Sequence, residues 1–177
     1  MAKDRTEIAA LVFDTLDDFE RSIEGIKAAE AEKRLPGFSS ISWTVAHVGQ
    51  TIDIWLVERL ANKTRNEYLS RSEFSRGGSG ECGDWDSVHV ALLSVLDKAR
   101  AFLRKVTMSE LEKETLYQGS LEYLKGKPVA KYYWLARIVS HTYYHIGEIT
   151  TIRSAASHKV VDFPGNLAAT FETKRNT

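Results

Sequence analysis

Four long segments of this chain carry apolar residues at helical spacing, and this pattern limits the fold more than any other feature. Apolar side chains that recur every three or four residues form one hydrophobic stripe along a helix. The pattern predicts helices from about Asp4 to Lys33, from Ser40 to Leu60, from Asp84 to Val106 and from Pro128 to Ala156. Since no clear sheet pattern accompanies them, we predict an all-α fold, a four-helix bundle.

Local signals mark where these segments begin and end. Ser40 or Ser42 can cap the second helix. Thr107 and Glu110 match a capping box and predict a short helical turn, while Pro128 suits the first turn of the fourth helix. The segment 116–124 is ambiguous and compatible with extended chain.

The chain of 177 residues has the size of one domain, so we expect a single domain over 1–177 with an irregular tail over about 157–177.

A glycine-rich segment, from Arg76 to Gly83, lies between the second and third predicted helices. It contains no Gly-x-x-x-x-Gly-Lys-[Ser/Thr] pattern, so we do not interpret it as a phosphate-binding loop. Two interpretations remain: a flexible connector, which we favour, and a mobile lid over a site.

Charge and composition narrow the function classes. The formal net charge is +0, so no overall field would attract nucleic acid or an anionic membrane. No apolar run has the length of a membrane span, and the first residues do not resemble a signal peptide. Cys82 is the single cysteine, which excludes an intrachain disulfide and fits a reducing compartment. We therefore expect a cytoplasmic protein that binds neither nucleic acid nor membranes.

His141 and His145 stand four residues apart on the fourth predicted helix. One helical turn brings both imidazoles to the same side, where their nitrogens can share an ion. Trp134, Ile138 and Ile149 lie on the same stripe, so the pair faces the core. Such a pair often arises by chance, but a buried imidazole needs a hydrogen bond or a cation.

His47, on the second predicted helix, is the third candidate. If it also points inward, three imidazoles converge and leave coordination positions open, as in catalytic zinc sites. Thr142 follows His141, so the His-Glu-x-x-His motif of zinc proteases is absent, and the chain has no Glu-x-x-His motif of di-iron bundles.

We interpret His89 as structural, His158 as exposed and Cys82 as a bystander thiol.

Two motifs in this order resemble the DinB/YfiT-like superfamily. The first is Ser-Trp-Thr-Val-Ala-His at 42–47, and the second is His-Thr-Tyr-Tyr-His-Ile-Gly-Glu-Ile at 141–149. The similarity spans all four predicted helices, from about Asp4 to Ala156. It implies a bundle of up-down-down-up type and a divalent metal ion held by His47, His141 and His145.

The resemblance also implies an activity class. Members of that superfamily include thiol-dependent S-transferases and isomerases that use bacillithiol, mycothiol or glutathione, while others are regarded as metal-dependent hydrolases without an established reaction. Members are often homodimers. We therefore expect a metal-dependent transferase or hydrolase, a homodimer, that acts on a small molecule such as a low-molecular-weight thiol. The alternatives are a non-catalytic metal-binding or stress-response bundle, and a bundle whose histidines bind no metal.

Glu148 is the candidate catalytic residue, because it follows His145 by three residues on the same side of the helix. It could accept a proton or orient an imidazole; the resembling family often has glutamine there.

Gln50 and Thr51 are weaker candidates for supporting His47. The candidate pocket residues are Trp55, Tyr143 and Tyr144, which could equally be packing residues. Imidazole suits several divalent ions, and we favour zinc or nickel, with iron as the next candidate.

Overall fold

The computed structural model describes residues 6–119, 121–156 and 158, and this part of the chain is mostly helical. Its α-helices are α1 (Glu7–Ser22), α2 (Ala28–Ala31), α3 (Ile41–Ile52), α4 (Trp85–Leu103), α5 (Met108–Leu111) and α6 (Tyr132–Ala155). Helix α3 continues into a π-helical segment, Asp53–Leu60, and short 3-10 turns occur at Ser72–Phe74 and Glu122–Leu124. Strands β1 (Glu114–Leu116) and β2 (Pro128–Ala130) pair antiparallel.

The four long helices enclose the hydrophobic core. Helix α1 packs against α4 and α6, and α3 packs against the same two helices from the other side. Each contributes its apolar stripe to one cluster, and the largest fully buried members on these helices are Leu16, Phe19, Ile41, Ile52, Leu92, Leu96, Leu103 and Leu135. Burying this apolar surface is the main force that holds the helices together. The mainly helical fold predicted from periodicity is confirmed, and no described helix is both long and apolar enough to cross a bilayer.

Side-chain caps fix the starts of these helices. Ser40 Oγ accepts a hydrogen bond from the amide of Trp43 at 3.1 Å, and Asp84 Oδ1 caps α4 through the amide of Ser87 at 3.3 Å. Thr107 Oγ1 accepts from the amide of Glu110 at 3.3 Å and begins α5, as the capping-box pattern predicts. The cap at Ser40 positions the helix that carries His47.

Two predicted boundaries are wrong. The first helix does not run to Lys33, because Gly25 adopts a positive φ of 72°, a left-handed conformation that ends the helical path after α1. The fourth helix does not begin at Pro128, because Pro128 pairs with Leu116 in the two-stranded sheet. A proline in a sheet can lie only where its nitrogen needs no partner, and the short strand β2 meets that condition. The predicted tail lies outside the described residues, apart from His158.

Candidate metal centre

Three histidines converge where α3 packs against α6. The imidazole of His47 lies 5.2 Å from that of His141 and 5.1 Å from that of His145, measured between ring centroids, and the two rings on α6 lie 4.6 Å apart. One ring nitrogen from each residue lies within 4.8 Å of the other two. The structure therefore brings together the three residues that the sequence singles out.

The separation of these nitrogens can be compared with the requirement for one shared ion. Imidazole nitrogens bind zinc at about 2.1 Å, so two nitrogens on one tetrahedral ion lie about 3.4 Å apart. The limit of 4.8 Å among the three histidines is wider than this spacing. Side-chain rotations would have to bring the nitrogens closer together, and three imidazoles are a donor set that suits a single divalent ion.

On the α3 side, a loop holds the first imidazole. Nδ1 of His47 lies 2.7 Å from the carbonyl oxygen of Phe74, and the neighbouring carbonyl of Glu73 accepts a hydrogen bond from Trp43 Nε1 at 2.8 Å. The indole of Trp43 stacks on the His47 ring with an interplanar angle of 4°. A carbonyl can only accept, so Nδ1 carries the proton and Nε2 is left with its lone pair for a ligand bond.

Gln50 and Thr51, about one turn after His47 on α3, form hydrogen bonds with backbone carbonyls. Gln50 Nε2 donates to the carbonyls of Leu69 and Arg71, at 2.7 and 2.9 Å, and Ser75 Oγ donates to Gln50 Oε1 at 3.1 Å. Thr51 Oγ1 donates to the carbonyl of His47 at 3.0 Å. Gln50 therefore fixes the loop that supplies the Phe74 carbonyl, and it supports His47 indirectly.

On the α6 side, the second imidazole is held by a carboxylate of its own helix. Nδ1 of His145 lies 2.6 Å from Oε2 of Glu148, and the nearby Glu148 carboxylate raises the pKa of Tyr144. The carboxylate accepts the Nδ1 proton and leaves Nε2 as the free ring nitrogen. Of the two roles suggested for Glu148 by its position, the contact fits the orienting one.

His141 completes the group but differs from the other two. Its Nδ1 is buried, and no hydrogen-bond partner for it exists among the described residues. A buried polar atom without a partner carries a free-energy cost that a bound cation could remove. This atom is a second indication that the site fits a positively charged ligand.

Burial favours the neutral form of these ligands. Desolvation lowers the pKa of His47, although the Phe74 carbonyl opposes the shift. Desolvation, reinforced by His145, His47 and Arg137, lowers the pKa of His141 to about 3. Since neutral imidazole is the form that binds metals, both residues are available as ligands at pH 7.

The three imidazoles open onto a cavity of about 680 Å³. Trp55 and Tyr144 line it as the sequence suggests, whereas Tyr143 donates to Asp18 Oδ2 at 2.9 Å and joins α6 to α1 instead. The residues in its wall that can bind or shape a ligand include Thr51, Arg76, Tyr117, Trp134, Arg137 and Glu148. Sequence reasoning missed both arginines. Helical spacing could have found Arg137, which precedes His141 by four residues, but no sequence signal indicates Arg76.

The remaining histidines and the cysteine lie apart from this cluster. His89 stacks on Trp85 with an interplanar angle of 13°, as expected for a structural residue. His158 is half exposed and lies 3.8 Å from Glu30. Cys82 is partly buried at the edge of the hydrophobic core.

Comparison with known proteins identifies the family. A family model described as the DinB superfamily matches residues 14–149. The chain belongs to the DinB superfamily. The resemblance seen in the sequence is thereby confirmed, and the three-histidine cluster of this DinB member fits a metal-binding enzyme. Searches of curated proteins and of solved structures found no significant match.

Proposed function

We propose that this DinB protein is a metal-dependent enzyme whose divalent ion is held by His47, His141 and His145. The observation that carries the proposal is the convergence of these imidazoles, with Nδ1 engaged by protein acceptors in two of them. Three protein ligands leave coordination positions for water or substrate, which is the usual arrangement of a catalytic site.

The reaction class follows from what such an ion supplies. A divalent ion held by neutral imidazoles lowers the pKa of bound water towards 7 and deprotonates a coordinating thiol. We therefore propose thiol-dependent S-transfer or hydrolysis, with zinc or nickel as the favoured ion. The cavity of about 680 Å³ supports a small-molecule substrate, since pockets for such ligands occupy about 300–1,000 Å³.

Glu148 is the residue that we assign to proton handling. Its Oε2 fixes the His145 ring, while the side chain borders the cavity and is 37% exposed. One carboxylate thus holds a ligand in the correct orientation and can receive the proton released when a thiol or water enters the site.

The helix topology and the oligomeric state are also proposed from the family resemblance. We infer that the four long helices follow the up-down-down-up path and that two copies form a homodimer. Light scattering coupled to gel filtration tests the second inference directly. A mass of one chain at micromolar concentration would contradict it.

Metal analysis of untagged protein tests the site. We expect about one divalent ion per chain, and we expect His47→Ala, His141→Ala and His145→Ala each to lose most of it. His89→Ala is the matched control, because His89 stacks on Trp85 outside the cluster. Unchanged metal content in the His141 and His145 variants would overturn the assigned site.

Turnover is tested separately, with low-molecular-weight thiols combined with electrophiles, and with hydrolysable esters and amides. We expect a metal-dependent reaction that His47→Ala abolishes. A metal-loaded protein without such turnover would favour the alternative function, a non-catalytic metal-binding or stress-response bundle.

A further inference from the structure

Two arginines line the cavity in front of the three histidines. Arg137 lies on α6, one turn before His141, and Arg76 lies on the loop two residues after Phe74, whose carbonyl holds His47. Each guanidinium is thus tied by a short stretch of chain to one side of the candidate metal centre. Both residues are exposed, so both can meet a ligand that enters from solvent.

Neither arginine is neutralised within the part of the chain that the structure describes. No ion pair links Arg76 or Arg137 to a carboxylate among residues 6–119, 121–156 and 158. Glu148, the acidic residue among the described residues of the cavity wall, already binds His145. With neutral imidazoles and a divalent ion, the cavity would carry a clear excess of positive charge.

The aromatic part of the wall limits how a ligand can approach. Trp55 and Trp134 stack at 3.7 Å between centroids, and Tyr117 stacks on Trp134 at 5.0 Å. Arg59 covers a face of the Trp55 ring at 3.9 Å. Because stacked partners occupy these ring faces, this part of the wall is apolar, and Arg76 and Arg137 are the cationic side chains among the described residues that line the cavity.

We propose that Arg76 and Arg137 form a clamp for an oxyanion of the substrate. The substrate would be a small molecule that carries a carboxylate or phosphate at one end and a metal-directed group, a thiol or a hydrolysable bond, at the other. Guanidinium groups match the geometry of carboxylate and phosphate with paired N–H donors. This inference rests on the proposed function, since it places the reacting end of the substrate at the metal centre.

The test compares two thiols of the same chain length, one that ends in a carboxylate and one that ends in a neutral hydroxyl group. Cobalt-loaded protein is titrated with 3-mercaptopropionate and with 3-mercapto-1-propanol, and the thiolate-to-cobalt absorption band gives each Kd. We expect the acid to bind about tenfold more tightly than the alcohol, as one or two charge-assisted hydrogen bonds would produce. Arg76→Gln and Arg137→Gln should each weaken binding of the acid about threefold to tenfold and leave that of the alcohol unchanged.

Arg104→Gln is the matched control, because Arg104 is the exposed C-cap residue of α4 and does not line the cavity. Its Kd for each thiol should equal that of the wild-type protein. Equal affinity for the two thiols in the original protein, or equal losses for both in the arginine variants, would overturn the clamp.

A second titration separates this inference from the proposed thiol chemistry. Succinate, succinamide and inorganic phosphate are added to zinc-loaded protein, and binding is followed by NMR. Binding of succinate or phosphate that both arginine variants weaken supports the clamp even if neither thiol gives a cobalt band, a result that would contradict thiol chemistry alone. If neither anion binds more tightly than succinamide, the clamp is wrong.

Discussion

The α3 side and the α6 side of the candidate metal centre orient their histidines in different ways. On α6, His145 is held by Glu148, three residues away on the same helix. On α3, His47 is held by the carbonyl of Phe74, 27 residues away across the loop. The first arrangement forms wherever the helix forms, whereas the second requires the loop to fold correctly against the helix. The α3 side should therefore be the more sensitive to changes outside the ligands themselves.

The loop is held in place by several weak contacts and one tight turn. Gln50 binds the carbonyls of Leu69 and Arg71, and the amide of Gly78 donates to the carbonyl of Ser75 at 2.9 Å. At Gly78 the backbone of Glu73 passes so close that a side chain has no room. A substitution at Gly78 is therefore the strongest test of whether the α3 side depends on the loop.

The largest effect is expected from Gly78→Ala. The added Cβ would overlap the carbonyl oxygen of Glu73, so the loop must shift and move the adjacent Phe74 carbonyl away from His47. We expect metal affinity to fall about tenfold to 100-fold, as when the hydrogen-bond partner of a ligating histidine is removed. Competition with a chromophoric chelator measures this affinity.

Gly83→Ala is the control for this change, since a Cβ at Gly83 meets no described atom within 4 Å. It should retain the original affinity. If Gly78→Ala binds metal as tightly as Gly83→Ala, the loop does not orient His47 and the contrast between the two sides disappears.

The next largest effect is expected on the α6 side, from Glu148→Ala. Without the carboxylate, Nδ1 of His145 loses its acceptor and the ring loses its fixed orientation, so metal affinity should fall about tenfold. Glu148→Gln should lose less, because the amide oxygen can accept the same hydrogen bond. Glu112→Ala, at an exposed glutamate after α5, is the control and should leave affinity unchanged. Equal affinity in Glu148→Ala and the control would show that His145 needs no partner.

The same contrast explains how much the sequence could predict. The α6 side depends on spacings of three and four residues, so the pairing of His141 with His145 and the position of Glu148 follow from helical periodicity alone. The place of His47 beside them depends on how α3 packs against α6, which the family resemblance indicated as much as the local helical pattern did. The Phe74 carbonyl could not be predicted, because a backbone group in a loop leaves no mark in the pattern of side chains.

The fold shows the same division between local and non-local information. The cap at Thr107, and the cap at Ser40 as one of two candidate serines, could be predicted, since a capping side chain and its amide lie three residues apart. Strand β2 was not, because the pairing of Pro128 with Leu116 is decided by contacts across a turn. A proline that suits the first turn of a helix suits the short strand as well.

A smaller difference between the two sides is expected in how the free energy of unfolding depends on pH. Burial lowers the pKa of His141 to about 3 from the usual 6.5, so between these values the unfolded chain binds more protons than the folded one. The free energy of unfolding of the metal-free protein should therefore fall as the pH drops below 6.5, by up to about 1.4 kcal/mol per pH unit for this group. Above pH 6.5 the group contributes no dependence.

The variants His141→Gln and His47→Gln make that comparison within one protein. Burial also lowers the pKa of His47, but the Phe74 carbonyl opposes the shift. Urea unfolding at pH 5 and pH 7 should show a larger loss of pH dependence in His141→Gln than in His47→Gln. The reverse order would mean that the α3 side carries the greater cost of burial.

The smallest effect is expected from Thr51→Val on the α3 side. Thr51 borders the cavity, but its hydroxyl donates to the carbonyl of His47 and not to the imidazole. Valine keeps the shape and removes one hydrogen bond, so the free energy of unfolding should change by about 1 kcal/mol or less. Metal affinity should stay within about twofold of the original, because the ring of His47 is oriented by the loop. A tenfold loss of affinity would show that α3 itself orients this histidine, and the two sides of the centre would then be alike.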